Sequence, residues 1–316
     1  MRDFHIYSPE DAIVSNLKET ALRLDRICQQ ELSHIEELAE EIAGIGDVGE
    51  ILQTLPDHRP PSFPIDETAL PQSKPWLTLS KNTHQTLLSL SLCRALCPRL
   101  AKKASLTREI FSSESEEISP ENRNRIVYQK SSYADSAFLQ ISSALPDCRA
   151  VYAPSFGAAC EEVYNGQSEY CILPIENSSE GQLLSFYRLI ERYELKITLS
   201  CDVLSGDANR STRFALLGRN LPTDLDHTKQ ECFFELSLPL GTTPETADVL
   251  LAAQLCGLSL RRISSLPSTK EELPFSVFYS FSAFHGDLHT FLLYLAMEAP
   301  QATHLGLYPH ITKKGN

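Results

Sequence analysis

The 316-residue sequence lacks most of the features that announce common chemistries, and each absence removes a function class. It carries 28 Lys+Arg against 41 Asp+Glu, a formal charge of −13, so no general polyanion-binding surface is built in, because phosphate backbones recruit cations. No Gly-rich phosphate loop, GxSxG elbow or HExxH pair occurs. Apolar runs such as FLLYLAM at 291–297 are far too short to span a bilayer, and MRDFHIYSPE has no basic-then-apolar leader pattern. The nine Cys include no CxxC pair and no His at zinc-ligand spacing; Cys93 and Cys97 share a helical face but lack further ligands. The expectation is a cytoplasmic protein with reduced, buried thiols, no metal, no cofactor, and neither nucleic acid nor membrane as partner.

What is present is unevenly distributed. The length suggests two domains or three small ones. Residues 1–60 hold 13 acids and 5 bases, a balance of −8, whereas 121–220 and 228–316 are each only −2. In that acidic part Val14, Leu17, Ala21, Leu24, Cys28, Ile35, Leu38 and Ile42 recur at heptad-like spacing, interrupted by Glu31, which predicts a long amphipathic helix. Ser8 is its expected N-cap, Pro9 its first residue, and Gly44 with Gly46 its end. Prolines 56, 60, 61, 64, 71 and 75 predict an extended connector over 56–75. A second helix over 87–100 closes on Lys102-Lys103, and SSESEEISPEN at 112–122 reads as a linker and a domain boundary.

From Arg125 short β-rich runs alternate with helical ones. RIVYQ, RAVYAP, YCILPI, ELKITLSCDV and STRFALLG are predicted strands, with helices between the first four, which signals an α/β layer with a largely parallel sheet. The last ninety residues read ECFFELSLPL strand, TPETADVLLAAQLCG helix, LSLRRISSLP and FSVFYSFSAF strands, DLHTFLLYLAMEA helix, ATHLGLYP strand. That order, βαββαβ, is the split βαβ arrangement.

Within the α/β part, Leu173-Pro174-Ile175-Glu176-Asn177-Ser178-Ser179-Glu180-Gly181 sets a carboxylate, an amide and two hydroxyls at the carboxyl end of a buried strand, where α/β folds bind ligands. Taken alone such a cluster also reads as an ordinary helix cap. With Asn209-Arg210-Ser211-Thr212-Arg213-Phe214 after it and Leu305-Gly306-Leu307-Tyr308-Pro309 near the end, the phrase resembles the "PIENSxxG", "NxTRF" and "LGSYP" patterns of the prephenate dehydratase family, over roughly residues 123–311. The resemblance implies a helical region at 1–111, a linker at 112–122, a periplasmic-binding-protein-like dehydratase lobe at 123–220 and a ferredoxin-like ACT domain at 228–311, the fold class being α/β plus α+β. It implies prephenate as substrate, with loss of carboxylate and ring hydroxyl giving phenylpyruvate. Thr212 becomes the proton donor or its positioning group, and Glu176, Asn177, Ser178, Arg213 and Phe214 line the pocket. Arg213 reads equally as a substrate carboxylate partner or as a salt-bridge residue. The implied partners are prephenate, a phenylalanine effector at Pro244, Glu245, Thr246, Ser265 and Pro267, and a second copy joined through the ACT domain.

The sequence departs from the family pattern in three places. Only Leu204 to Ala208 stand where a second lobe is inserted in a full dehydratase, and the Gly-rich turn after the opening strand reads Lys130-Ser131-Ser132-Tyr133-Ala134. In the C-terminal unit the family's "GAL" loop aligns with Pro244-Glu245-Thr246, the helix there starting at Pro244 with Thr243 as cap, and Leu266 stands at the Arg of "ESRP". A divergent, non-catalytic binding or regulatory protein of aromatic amino-acid metabolism is therefore carried as the alternative. A chorismate mutase is the second alternative, resting on Leu24-Asp25-Arg26-Ile27, which is similar to the "IDxID" pattern, with Arg23, Arg26, Arg94, Arg99, Lys102 and Lys103 as cations.

Overall fold

The computed structural model describes residues 9–60, 75–100, 106–111, 118–145, 147–204, 210–221, 231–242, 244–267 and 275–311. Ser8, most of the Pro-rich connector, Lys102-Lys103, the 112–117 part of the linker, Asn209 and Thr243 lie outside them. The acidic heptad series forms α1 (Pro9–Gly44). Beyond Gly44 the chain turns into a short helix the spacing did not announce, α2 (Val48–Thr54), started by a reciprocal cap in which Asp47 and Glu50 serve each other's backbone N–H. The expected connector begins instead as a 3-10 turn, Leu55–His58, with Pro56 in the position where its missing N–H costs nothing. Then follow α3 (Pro75–Leu100), α4 (Leu106–Phe111) and a 3-10 turn at Pro120–Asn122 inside the predicted linker.

The α/β part comprises β1 (Arg125–Gln129), α5 (Ser132–Ser142), β2 (Arg149–Ala153), α6 (Phe156–Tyr164), β3 (Tyr170–Asn177), β4 (Gly181–Gln182), α7 (Leu184–Arg192), β5 (Lys196–Leu204) and β6 (Ser211–Gly218). Serines start two of these helices: Ser131 Oγ accepts from Ala134 N and Ser155 Oγ from Ala158 N, both at 3.1 Å. The remainder is β7 (Cys232–Pro239), α8 (Thr246–Leu255), β8 (Ser259–Pro267), β9 (Phe275–Ser282), α9 (Leu288–Glu298) and β10 (Thr303–Ile311), the βαββαβ order read from the sequence.

All ten strands belong to one sheet, ordered β2-β1-β3-β6-β5-β10-β7-β9-β8, with β4 against β3. The expectation of a largely parallel sheet is corrected. β1 pairs β2 and β3 in parallel, but β6 runs antiparallel between β3 and β5, because only a short segment links β5 to β6 and a short link returns the chain beside itself. The C-terminal strands are mutually antiparallel, and β10 joins them to the first part by parallel pairing with β5.

That junction depends on Gly306. A Cβ there would lie 2.8 Å from Ile197 Cβ and 3.1 Å from the Ile197 carbonyl oxygen, so only glycine lets the strands approach. Apolar side chains cover both faces. Ile126, Tyr128, Phe214 and Leu216 pack under α5; Val127, Ala215 and Leu217 pack under α6 and α7 with Phe233, Phe278 and Tyr308 of the C-terminal strands. The opposite face of the C-terminal strands carries α8 and α9, on which Ala39, Ile42, Ile51, Leu92 and Leu96 of the N-terminal helices pack in one core. Among the described residues no helix is long and apolar enough to cross a membrane.

Candidate functional site

Strand register assembles the sequence-predicted residues at the carboxyl ends of β1, β3 and β5. Asn177 on β3 lies opposite Thr212 on β6, and Glu176 lies opposite Arg213 across a register shift. Ser178 N donates to the Ser211 carbonyl at 2.9 Å and Ser178 Oγ accepts from Ser211 N at 2.9 Å, so the PIENS loop and the TRF strand are clamped together. Asn177 Oδ1 accepts from Ser179 N at 2.8 Å and Ser179 Oγ at 2.7 Å, an Asx turn that fixes the amide. Among the described residues Thr212 Oγ1 has no hydrogen-bond partner.

Alternation along β6 divides the TRF motif between the two faces of the sheet. Phe214 is buried under α5, which puts Thr212, two residues before it, on the same face; Ala215 belongs to the α6/α7 face, which puts Arg213 there. Arg213 is consumed by the fold. Its Nε and Nη2 donate to Asp202 Oδ1 and Oδ2 at 2.9 and 3.2 Å, and its Nη1 donates to Glu176 Oε2 at 3.2 Å. Glu176 Oε1 also accepts from Arg262 of β8, 86 residues away.

The chain of charges continues at both ends. Asp202 faces His310 Nε2 at 3.3 Å, and Ser200 Oγ lies 2.9 Å from His310 Nδ1. Burial opposes ionisation of Asp202, but hydrogen bonds from His310 and Arg213 outweigh it and hold the carboxyl well below the usual carboxylate range. The Ser200-His310-Asp202 line has the connectivity of a nucleophilic triad, yet Ser200 is wholly buried, so no substrate carbonyl reaches its hydroxyl. Beyond Arg262 lies Glu235 of β7, whose Oε1 accepts from Tyr308 at 2.8 Å and Ser280 at 3.2 Å and whose Oε2 accepts from Tyr187 at 2.9 Å. Burial pushes its carboxyl up from the ordinary value, a rise these three donors partly offset.

The second predicted cluster sits at the far end of the C-terminal strands. Pro244 is buried, Glu245 exposed, and Thr246 Oγ1 is 3.0 Å from Tyr279 OH. The expected start at Pro244 with Thr243 as cap is corrected: α8 begins at Thr246, Glu245 is its N-cap, and Glu245 N donates to Asp248 Oδ2 at 3.1 Å. Ser265 and Pro267 are exposed at the end of β8, while Leu266 between them is buried beside Phe278. Among the described residues no group of three or more His, Cys, Asp and Glu side chains is arranged to hold a metal ion.

Asp202, Arg262, Glu235, Tyr187 and His310 escaped the sequence reading. Glu235 alone carried a signal, a carboxylate in the middle of the otherwise apolar run CFFELSL, which demands buried donors. The others are recruited by register across the β5–β10 junction, which no local pattern encodes.

Comparison with known proteins finds similarity to one family over part of the chain. Residues 128–204 match the family description "Prephenate dehydratase". The chloroplastic arogenate dehydratase/prephenate dehydratase 2 of Arabidopsis thaliana is 32% identical over 107 residues, 33% of this chain and 26% of that protein. The chain spans about a quarter of the length of the curated relatives it matches. Prephenate dehydratase structures from Streptococcus mutans and, in complex with L-Phe, from Arthrobacter aurescens align at 20% and 15% identity with TM-scores of 0.48 and 0.47. They cover 60% and 58% of this chain, and 99% and 90% of theirs. The segment 128–204, which carries the clamped PIENS loop, is thus similar to the prephenate dehydratase family.

Proposed function

We propose that the protein works in the phenylalanine branch of aromatic amino-acid synthesis as a prephenate or arogenate dehydratase-like protein. The observation that carries this reading is the register that sets Asn177 opposite Thr212 and locks Ser178 to Ser211 at the carboxyl end of the sheet. In the reaction the ring C–C bond to the carboxylate breaks, carbon dioxide leaves, the electron pair enters the ring, and the C–O bond to the ring hydroxyl breaks. Hydroxide departs as water once it receives a proton. Aromatisation drives the step, so the protein need only orient the dianion and supply that proton. Thr212 is the donor to the departing hydroxide, the Asn177 NH2 orients the substrate, Ser178 positions the loop through its clamp to Ser211, and Phe214 forms the apolar floor. Glu176 and Arg213 act through the strands they tie together.

The C-terminal βαββαβ unit is read as an ACT domain, with Pro244, Glu245, Thr246, Ser265 and Pro267 as its effector loops. Release of phenylpyruvate from prephenate, or of phenylalanine from arogenate, tests the enzyme reading. Turnover is expected in the wild type and loss of at least a hundredfold in Thr212→Ala; equal rates in both would end it.

A second reading, a non-catalytic binding protein of the same branch, is favoured by one observation. Arg213 and Arg262, two of the cations near the sheet end, are already paired with Asp202 and Glu176, so neither offers a free positive charge to a dianion. Calorimetric binding of phenylalanine without turnover of either substrate would select it.

A further inference from the structure

The N-terminal half of α1 carries an apolar seam that nothing in the described fold covers. Val14, Leu17, Ile27 and Leu32 are 49%, 65%, 45% and 53% exposed. Past the Glu31 interruption the same side of the helix carries Ile35, Leu38, Ala39 and Ile42, which pack in the core with α3 and the C-terminal helices. One seam is thus buried along its second half and bare along its first, over about 28 Å at 1.5 Å per residue. An exposed apolar residue standing alone, such as Leu22 on the other side of the helix, needs no partner, but a broad apolar stripe that leads into a buried interface does.

The charges choose the occupant. Residues 14–30 hold three bases and two acids, so this half does not repel itself, whereas Glu31, Glu36, Glu37, Glu40 and Glu41 crowd the second half. We propose that the N-terminal halves of α1 from two copies of the chain pair antiparallel, about a two-fold axis near residues 22 and 23. In this arrangement Lys18 and Asp25, which flank the seam seven residues apart, meet the Asp25 and Lys18 of the second copy. The two acidic halves and the bodies packed on them lie at opposite ends. A parallel pair would instead set the acidic halves side by side and leave Lys18 and Asp25 without opposite charges. The interface is isologous and closes at two chains.

The test is the mass of the full chain by light scattering across a hundredfold range of concentration. The wild type is expected to be a dimer, and Leu17→Glu to weaken it at least tenfold. Circular dichroism of that variant should match the wild type, because the side chain is exposed. Lys18→Glu and Asp25→Lys should each weaken the dimer by roughly threefold to fivefold, and the double variant should recover it. A monomer throughout, a dimer indifferent to Leu17→Glu, additive rather than compensating charge variants, or capture of the seam by anionic vesicles would each overturn the proposal.

Discussion

Replacing Arg213 with Ala removes the centre of the charge chain that ties β3, β5 and β6 together. Three charge-assisted hydrogen bonds disappear, two to Asp202 and one to Glu176. Fully buried, such a loss costs about 3–5 kcal/mol, because the partners are left charged and unpaired. Here Asp202 keeps His310 and Glu176 keeps Arg262, and their side chains are 37% and 25% exposed, so water recovers part of the penalty. The expected destabilisation is about 2–3 kcal/mol. At about 2.1 cal/mol/K of unfolding entropy per residue, this lowers Tm by about 4 °C in a chain of 316 residues. Arg213→Lys, which keeps the charge but not the fork, should lose about half as much. The difference between wild type and variant should shrink in acid. Asp202 is held below its ordinary value of 3.8, so the native state binds fewer protons than the unfolded one, and the stabilisation present above that value is lost as pH falls below it. Chemical denaturation at neutral and acid pH measures both effects. A penalty under about 0.5 kcal/mol together with lost ligand binding would refute the reasoning, since Arg213 would then be facing a substrate carboxylate and not the fold.

Gly306→Ala forces a Cβ against Ile197 at the β5–β10 junction and should cost about 2–3 kcal/mol, read as a lower denaturation midpoint; an unchanged midpoint would mean the strands separate at no cost. Glu235→Ala strands the hydroxyls of Tyr187, Tyr308 and Ser280 and should cost about 3 kcal/mol, while Glu235→Gln, which keeps one acceptor oxygen and gives an NH2 that the Tyr187 hydroxyl can accept by turning, should cost under about 1 kcal/mol. His304 stands between Phe111 and Phe234 with its Nδ1 sealed from solvent, and burial, helped by Lys196, lowers its pKa to about 4. Its neutral form is the one the fold accepts, so stability should be full above pH 6.5 and decline as pH falls through 6.5 toward 4, by about 3 kcal/mol in total. His304→Phe should flatten that slope in urea titrations at graded pH.

Periodicity made the long elements legible. Each strand predicted from Arg125 onward and each helix between them is present, because runs such as RIVYQ and LLSFYRLIERY bury one side against a layer that any α/β arrangement supplies. The elements that escaped, α2, α4 and β4, span seven, six and two residues, too few for a period to register. The motif residues Asn177, Ser178 and Thr212 were legible as a site because they are contiguous with strand ends. Asp202, Arg262 and His310 were not, since nothing near them in the chain marks a partner up to 110 residues away.

The residue order by itself determined which segments become strands and helices, the carboxyl-end position of the PIENS loop, and the heptad seam of α1, all of them consequences of spacing along one chain. Tertiary structure alone decided that β6 runs antiparallel, that β10 docks on β5 to merge both halves into one sheet, and that Arg213 turns away from Thr212 into an ion-pair chain. The physical reason is that side-chain direction alternates along a strand and partners are chosen by register across it. Register is set by long-range packing around positions such as Gly306, whose meaning appears only when Ile197 lies against it.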